Sequence, residues 1–133
     1  LVGDQIIGND SSQRSARAAT CAHTVGAFWA YHSTIFRNQP HEGVGYTDEL
    51  LRNDFAAEAG ITGDALTRFQ TCYDTGATNE QVKAMESEGS AAGVNGTPYF
   101  FVNGWQTNFD LQTDTPISTD DLLEGLRLVV AGG

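Results

Sequence analysis

The most informative part of the sequence is Gly96-Thr97-Pro98-Tyr99-Phe100-Phe101-Val102-Asn103-Gly104. Its apolar run from Tyr99 to Val102 is rich in aromatic residues and predicts a short buried strand. Asn103-Gly104 is typical of a two-residue hairpin turn, so a second strand is expected after it. Pro98 has no N–H to give to a sheet ladder, and it therefore suits the start of the strand, where a cis bond would cost only about 0.5–1 kcal/mol.

The composition indicates a single acidic domain. A chain of 133 residues is long enough for one core, and a domain of this size buries roughly two thirds of its unfolded surface. Seventeen acidic residues against seven basic ones give a formal charge of −10, which argues against nucleic acid as a partner. No apolar run reaches the roughly 20 residues of a membrane helix, and no signal peptide is recognisable at the start of the sequence.

The first half of the chain reads as helical. After a weak strand near Leu1–Ile7, Ser11 or Ser12 is suited to begin a helix that is bent near Gly26 and stops before Pro40. Its apolar residues recur at helical spacing and predict one inward face along the whole segment, made of Ala18, Ala22, Val25, Trp29, His32 and Phe36. We therefore expect Trp29 and Phe36, together with Phe28, to lie in the core.

Four further helices are predicted from their capping residues. They begin at Thr47, at Thr62, at Thr78 and at Ser118 or Thr119, and the first three end at Gly60, Gly76 and Gly93. The helix that follows Thr78 presents a face of mostly small residues that would allow close approach to a sheet: Val82, Met85, Gly89 and Ala92.

Cys21 and Cys72 are the chain's two cysteines, and 51 positions separate them, so they cannot form a Cys-x-x-Cys motif. The spacing is compatible with a buried pair of thiols or with one structural disulfide. Cys72 would face Cys21 if their helices pack antiparallel in a small bundle. A bridge would close a loop long enough to contribute about 4 kcal/mol in the chain-entropy model.

The stretch from Ala92 to Gly104 resembles the cis-proline loop and following strand of the thioredoxin superfamily, and more narrowly its DsbA-like branch. Gly26-Ala27-Phe28-Trp29-Ala30-Tyr31-His32 and Phe36-Arg37-Asn38-Gln39-Pro40 are similar to the helical insertion of that family. The resemblance implies an α/β, thioredoxin-like fold that is rich in helix. It assigns 1–10 to a strand of the thioredoxin-like domain, 11–77 to the inserted helical domain, and 78–133 to the closing α-β-β-α part.

The resemblance also implies a preceding β-α unit that carries Cys-x-x-Cys at a helix N-terminus, where the helix dipole activates the first thiol. This sequence has no such unit, and Leu1–Gly8 starts abruptly in strand-like sequence. We therefore expect a processed or truncated chain, or one whose missing strand comes from a second copy or a separate chain. Without the dithiol, the isolated chain is expected to be inactive.

Gly96, Thr97 and Pro98 are the candidate substrate-binding residues, because in the family this loop bonds the backbone of a bound peptide; a plain structural turn is the alternative. Members of the family often carry a second disulfide in the helical insertion, and Cys21 and Cys72 suit that position. The sequence offers no catalytic residue of its own. His32 is expected to be a core histidine, and the remaining histidines, His23 and His41, have no partner at metal-binding spacing, so neither a metal nor another cofactor is predicted.

Three functions follow from the resemblance. The first is part of a bacterial, secreted or cell-envelope thiol–disulfide oxidoreductase, whose substrates are proteins or peptides with cysteines. The second is a non-redox module that binds a peptide or a partner. The third is a glutathione-using transferase or isomerase of the same superfamily. A Cys-x-x-Cys after a strand in the upstream sequence favours the first function. A serine in its place favours the third, and the absence of such a unit favours the second.

Overall fold

The computed structural model describes residues 10–41, 43–96, 99–102, 105–107 and 119–131. In chain order its elements are α1 (Ser11–Thr24), α2 (Phe28–Arg37), a π-helical turn (Leu50–Asp54), α3 (Phe55–Glu58), α4 (Gly63–Thr75), α5 (Asn79–Ala91), β1 (Phe100–Val102), β2 (Trp105–Thr107) and α6 (Thr119–Ala131). The chain forms two compact units, Leu1–Asn95 and Gly96–Gly133. The boundaries at 10/11 and 77/78 implied by the resemblance stay predictions.

The predicted bend near Gly26 is a complete break between α1 and α2. Gly26 has a φ of 76°, a left-handed conformation that costs glycine little. Its N–H donates to the carbonyl of His23 at 3.0 Å, and the N–H of Ala27 donates to the carbonyl of Ala22 at 2.9 Å. These two bonds are those of a Schellman motif, which satisfies the last carbonyls of α1 and starts α2 in a new direction.

The break corrects the predicted inward face. Trp29 is 74% exposed and Phe36 is 62% exposed, while Tyr31 and Thr34 of the same helix are fully buried. Placing Trp29 and Phe36 in the core was therefore wrong. The prediction carried one 3.6-residue period across Gly26, whereas the turn there resets the phase, so that α2 packs on α1 through a different side. Phe28 and His32 are partly buried.

The core of the first unit lies between α1, α2, α4 and the segment that joins α2 to α4. The ring centroids of Tyr31 and Phe69 are 5.4 Å apart, and Phe69 stacks on Tyr73 at 6.5 Å. Buried apolar residues surround these rings: Ala18, Cys21, Ala22, Leu51, Phe55, Ala56 and Ile61. Aromatic contacts of this kind supply much of the packing of a small helical core.

The helix predicted after Thr47 is present and begins as predicted. The N–H of Leu50 donates to Thr47 Oγ1 at 3.2 Å, which is an N-cap bond. The following residues form the π-helical turn, and the buried hydroxyl of Tyr31 donates to the carbonyl of Leu51 at 2.5 Å. Tyr31 therefore fixes α2 to the one segment of this helix whose backbone departs from the α pattern.

Helix α5 contacts α1 near the beginning of α5. Val82 is 5% exposed, whereas Met85, one turn further along, is 59% exposed. The packing against α1 is made around Thr78 and the first turn of α5. The predicted close approach of the small-residue face to a sheet stays a prediction.

The second unit contains the predicted hairpin. Strands β1 and β2 are antiparallel, with Phe100 opposite Thr107 and Val102 opposite Trp105. The helix predicted from Ser118 or Thr119 is α6. The described residues form this two-stranded sheet and no other. A wider α/β sheet therefore stays a prediction. None of the helices that the structure describes has the length and apolar character to cross a membrane.

Candidate functional site

The predicted substrate loop is described at its first residue. Gly96 lies in a bend and is partly buried, while Thr97 and Pro98 lie outside the described residues. A Cβ atom added at Gly96 would meet no heavy atom within 4 Å, so backbone crowding does not require glycine there. Tyr99 follows, with its ring centroid 5.2 Å from that of Phe101, and β1 begins at the next residue. The loop therefore leads directly into the hairpin.

Cys21 and Cys72 form a disulfide, which selects between the two states that the sequence left open. Their Cα atoms are 5.7 Å apart, within the usual range for a bridge. Cys21 is fully buried, and no free cysteine remains in the chain. The bridge joins the last turn of α1 to the last turn of α4 across 51 positions.

Two threonine hydroxyls lie beside the bridge. Thr78 Oγ1 is 3.6 Å from Cys21 Sγ, and the hydroxyl of Thr20 donates to Thr78 Oγ1 at 2.8 Å. Thr78 donates in turn to the carbonyl of Arg17 at 3.4 Å. The sequence placed Thr78 correctly before α5 but assigned its hydroxyl to capping, and the structure shows no side-chain cap bond there. Thr78 ties α5 to α1 next to the disulfide instead.

A polar network lies where α1 and α4 approach the Tyr46–Asp48 segment. Tyr73 donates its hydroxyl to Asp48 Oδ1 at 2.6 Å, and Arg14 Nη2 donates to the carbonyl of Tyr46 at 2.8 Å. The guanidinium of Arg17 lies 5.8 Å from the centroid of the Tyr73 ring. Burial, and then the bond to Asp48, raise the pKa of Tyr73 well above its usual value. Tyr73 is thus held neutral as a donor and is unsuited to act as a base.

The three histidines do not form a metal site. His23 and His41 are exposed, and His32 is partly buried between aromatic rings. In residues 10–41, 43–96, 99–102, 105–107 and 119–131, no three side chains of the His, Cys, Asp and Glu types are grouped so that they could hold a metal ion.

A row of rings, two exposed and two partly buried, runs along α2, and its exposure was not predicted from the sequence. We call it the aromatic strip; it consists of Phe28, Trp29, His32 and Phe36. Neighbouring centroids are 5.0 Å apart for Phe28 and Trp29, 5.6 Å for Trp29 and His32, and 4.6 Å for His32 and Phe36. The spacing i, i+4, i+8 of Phe28, His32 and Phe36 was the available signal, but it does not say which of the two apolar sides of α2 faces inward.

A family model described as thioredoxin matches residues 2–124 of the chain. The match extends from before α1 into α6 and so covers most of both compact units. Neither the comparison with curated proteins nor the comparison with solved structures gives a match.

Proposed function

Because the chain belongs to the thioredoxin family, we propose that it is part of an extracytoplasmic thiol–disulfide oxidoreductase of the DsbA-like branch. The single observation that carries the proposal is the family match over residues 2–124. The helical block, followed by a loop that leads into an antiparallel hairpin, supports the narrower assignment to a thioredoxin-like domain with a helical insertion.

The reactive dithiol of the proposed enzyme is separate from Cys21 and Cys72. These two cysteines are bonded to each other, and Cys21 is buried beside Thr78, so a substrate thiolate has no access to that sulfur. We propose that a Cys-x-x-Cys unit outside this chain, in a preceding segment or another subunit, supplies the exchanging disulfide. The Cys21–Cys72 bridge then has a structural role.

The proposed reaction is an exchange in two steps. A substrate thiolate attacks one sulfur of the Cys-x-x-Cys disulfide, forms a mixed disulfide and releases the other cysteine as a thiolate. A second substrate thiolate then attacks the substrate sulfur of the mixed disulfide, so that the substrate leaves oxidised and the dithiol is reduced. Gly96-Thr97-Pro98 holds the substrate during both steps by hydrogen bonds to its extended backbone.

The experiment measures oxidation of a reduced peptide with two cysteines by the longest natural form of the protein that contains this chain. We expect the natural form to oxidise the peptide and the 133-residue chain alone to leave it reduced. Pro98→Ala should slow the reaction, and Met85→Ala, at an exposed position of α5 outside the loop, is the control. Failure of the natural form, or equal rates for Pro98→Ala and Met85→Ala, would contradict the proposal.

A second candidate function is a non-redox module that binds a peptide or a partner. The observation in its favour is that both cysteines of the chain are bonded to each other and neither belongs to a Cys-x-x-Cys motif. The same assay separates the two candidates, because a binding module would retain the peptide without changing its oxidation state.

A further inference from the structure

The rings of the aromatic strip contact one another in the chain without a bound partner. Each ring centroid lies within 6 Å of at least one other in the strip, and His23 of α1 meets Phe28 edge to face at 6.3 Å. The strip extends over about 12 Å along α2, eight steps of about 1.5 Å from Phe28 to Phe36. Since mutual contacts already restrict these side chains, binding would cost them little further conformational freedom.

The strip is exposed although α2 is firmly held. Tyr31 and Thr34 anchor the opposite side of the helix and are fully buried, whereas Trp29 is 74% exposed and Phe36 is 62% exposed. The helix therefore presents one side to the core and a separate aromatic side to solvent. Contiguous exposed apolar surface of this kind marks interaction sites more often than scattered single residues do.

The cations of the first two helices are already engaged elsewhere. Arg14 pairs with Asp10 at 2.9 Å, Arg17 lies over the ring of Tyr73, and Arg37 pairs with Glu58 at 2.8 Å. The described residues form one contact between a cation and a ring, that of Arg17 with Tyr73. Neither of these residues belongs to the aromatic strip. The exposed faces of Trp29 and Phe36 are therefore open to a cation from a partner.

The charge of the whole chain selects the sign of that partner. A formal charge of −10 attracts basic polypeptides and repels acidic ones over distances up to about a Debye length. The strip itself contains no acidic side chain, so close recognition would come from ring faces, which attract Lys and Arg, and from apolar contact. The ring faces of the strip and the net negative charge of the chain thus both favour a partner that carries Lys or Arg.

We propose that the aromatic strip is a docking surface for a polypeptide segment in which Lys or Arg alternate with apolar side chains. Trp29 and Phe36 receive the cations on their ring faces, and the apolar side chains of the segment pack along His32 and Phe28. An exposed contact between a cation and a ring changes affinity about two- to fivefold. The inference does not depend on the proposed redox activity, because docking is an equilibrium that needs no dithiol.

The test is a titration of the full chain into three dye-labelled peptides of equal length, followed by fluorescence anisotropy. One alternates Lys with Leu and Phe, the second has Glu in place of Lys, and the third has Ser in place of the apolar residues. We expect the first to bind at least about tenfold more tightly than either of the others. Equal affinity for the Lys and Glu peptides, or for the apolar and Ser peptides, would overturn the proposal.

The variants locate the binding on the chain. We expect Trp29→Ala and Phe36→Ala each to weaken binding of the basic apolar peptide about two- to fivefold, the effect of losing one cation–ring contact, and Met85→Ala to leave it unchanged. Met85 is a matched control because it is 59% exposed and lies on α5. Circular dichroism checks that each variant folds. An equally large loss of affinity in Met85→Ala, or no loss of affinity in Trp29→Ala, would contradict the assignment of the binding site to the aromatic strip.

Sedimentation equilibrium tests whether a second copy of this chain occupies the aromatic strip. We expect a monomer in the absence of peptide. A dimer that Trp29→Ala dissociates, with no binding of the basic peptide, would assign the strip to self-association and overturn the proposal.

Discussion

Cys21 of α1 and Cys72 of α4 are covalently joined across 51 positions, and the sulfur of Cys21 lies 3.6 Å from the hydroxyl of Thr78. The bridge and the threonine together connect α1, α4 and α5 at one buried place. This arrangement makes the cysteine pair a structural feature of the first compact unit.

Removing the bridge should lower stability without changing the fold. We expect the double variant Cys21→Ala/Cys72→Ala to lose about 2–4 kcal/mol of unfolding free energy, because the loop it frees gains conformational entropy in the unfolded chain. Guanidinium unfolding of the wild type and the variant measures the difference. Alkylation of the denatured wild type without reductant is the control, and recovery of two free thiols would contradict the bridge.

The hydroxyl of Thr78 should contribute through its contacts with α1. Thr78→Val keeps the side-chain volume but removes the bond from Thr20, and we expect a loss of about 1 kcal/mol. Thr71→Val is the matched control, since Thr71 is exposed on α4 and bonds only within its helix. Equal unfolding midpoints for the two variants in urea would show that the buried hydroxyl contributes nothing.

Tyr31 should make stability sensitive to alkaline pH. Burial, followed by repulsion from the negative forms of Tyr73 and Tyr46, raises its pKa well above the usual value of about 10. The folded state therefore keeps the proton when the unfolded state has lost it, and the stabilisation is complete below pH 10 and is lost as the pH rises further. We expect Tyr31→Phe to cost about 1–2 kcal/mol near pH 8, because the carbonyl of Leu51 loses its donor.

Urea unfolding between pH 8 and pH 11 measures both effects. The difference between wild type and Tyr31→Phe should shrink above pH 10, since the variant has no phenol to titrate at this position. A difference that stays constant over the whole range would refute the assigned role of the buried hydroxyl.

Replacing two glycines by alanine should change the stability of the protein in opposite directions. Gly76 ends α4 with a φ of 65°, and an added Cβ would lie 2.5 Å from Asn79 Nδ2, so we expect Gly76→Ala to cost about 1–2 kcal/mol. Gly89 lies within α5 with open space around its Cβ position, so Gly89→Ala should stabilise the protein by about 0.5–1 kcal/mol. Thermal unfolding of both variants tests the pair, and shifts of the same sign would contradict it.

Local signals in the sequence were sufficient for the helix ends. Gly26, Gly60 and Gly76 all have positive φ where a helix was predicted to bend or end, and Thr47 caps its helix. These features depend on a few neighbouring residues, which the sequence displays directly.

The outward side of α2 could not be predicted in this way. Both Tyr31 and Trp29 are large and aromatic, and only the direction in which the chain leaves Gly26 decides which of them is buried. The role of Thr78 was also hidden, because Thr20 is 58 positions away and their contact depends on how α5 packs against α1. The predicted substrate residues Thr97 and Pro98 lie outside the described residues, so their role rests on the resemblance and on the proposal.

The most direct measurement is mass spectrometry of the longest natural form after acid quenching of its reaction with a reduced two-cysteine peptide. We expect an adduct of protein plus one peptide that dithiothreitol removes, with the peptide linked to a cysteine other than Cys21 and Cys72. No adduct, or an adduct on Cys21 or Cys72, would contradict the assignment of this chain to a thiol–disulfide oxidoreductase with a structural second bridge.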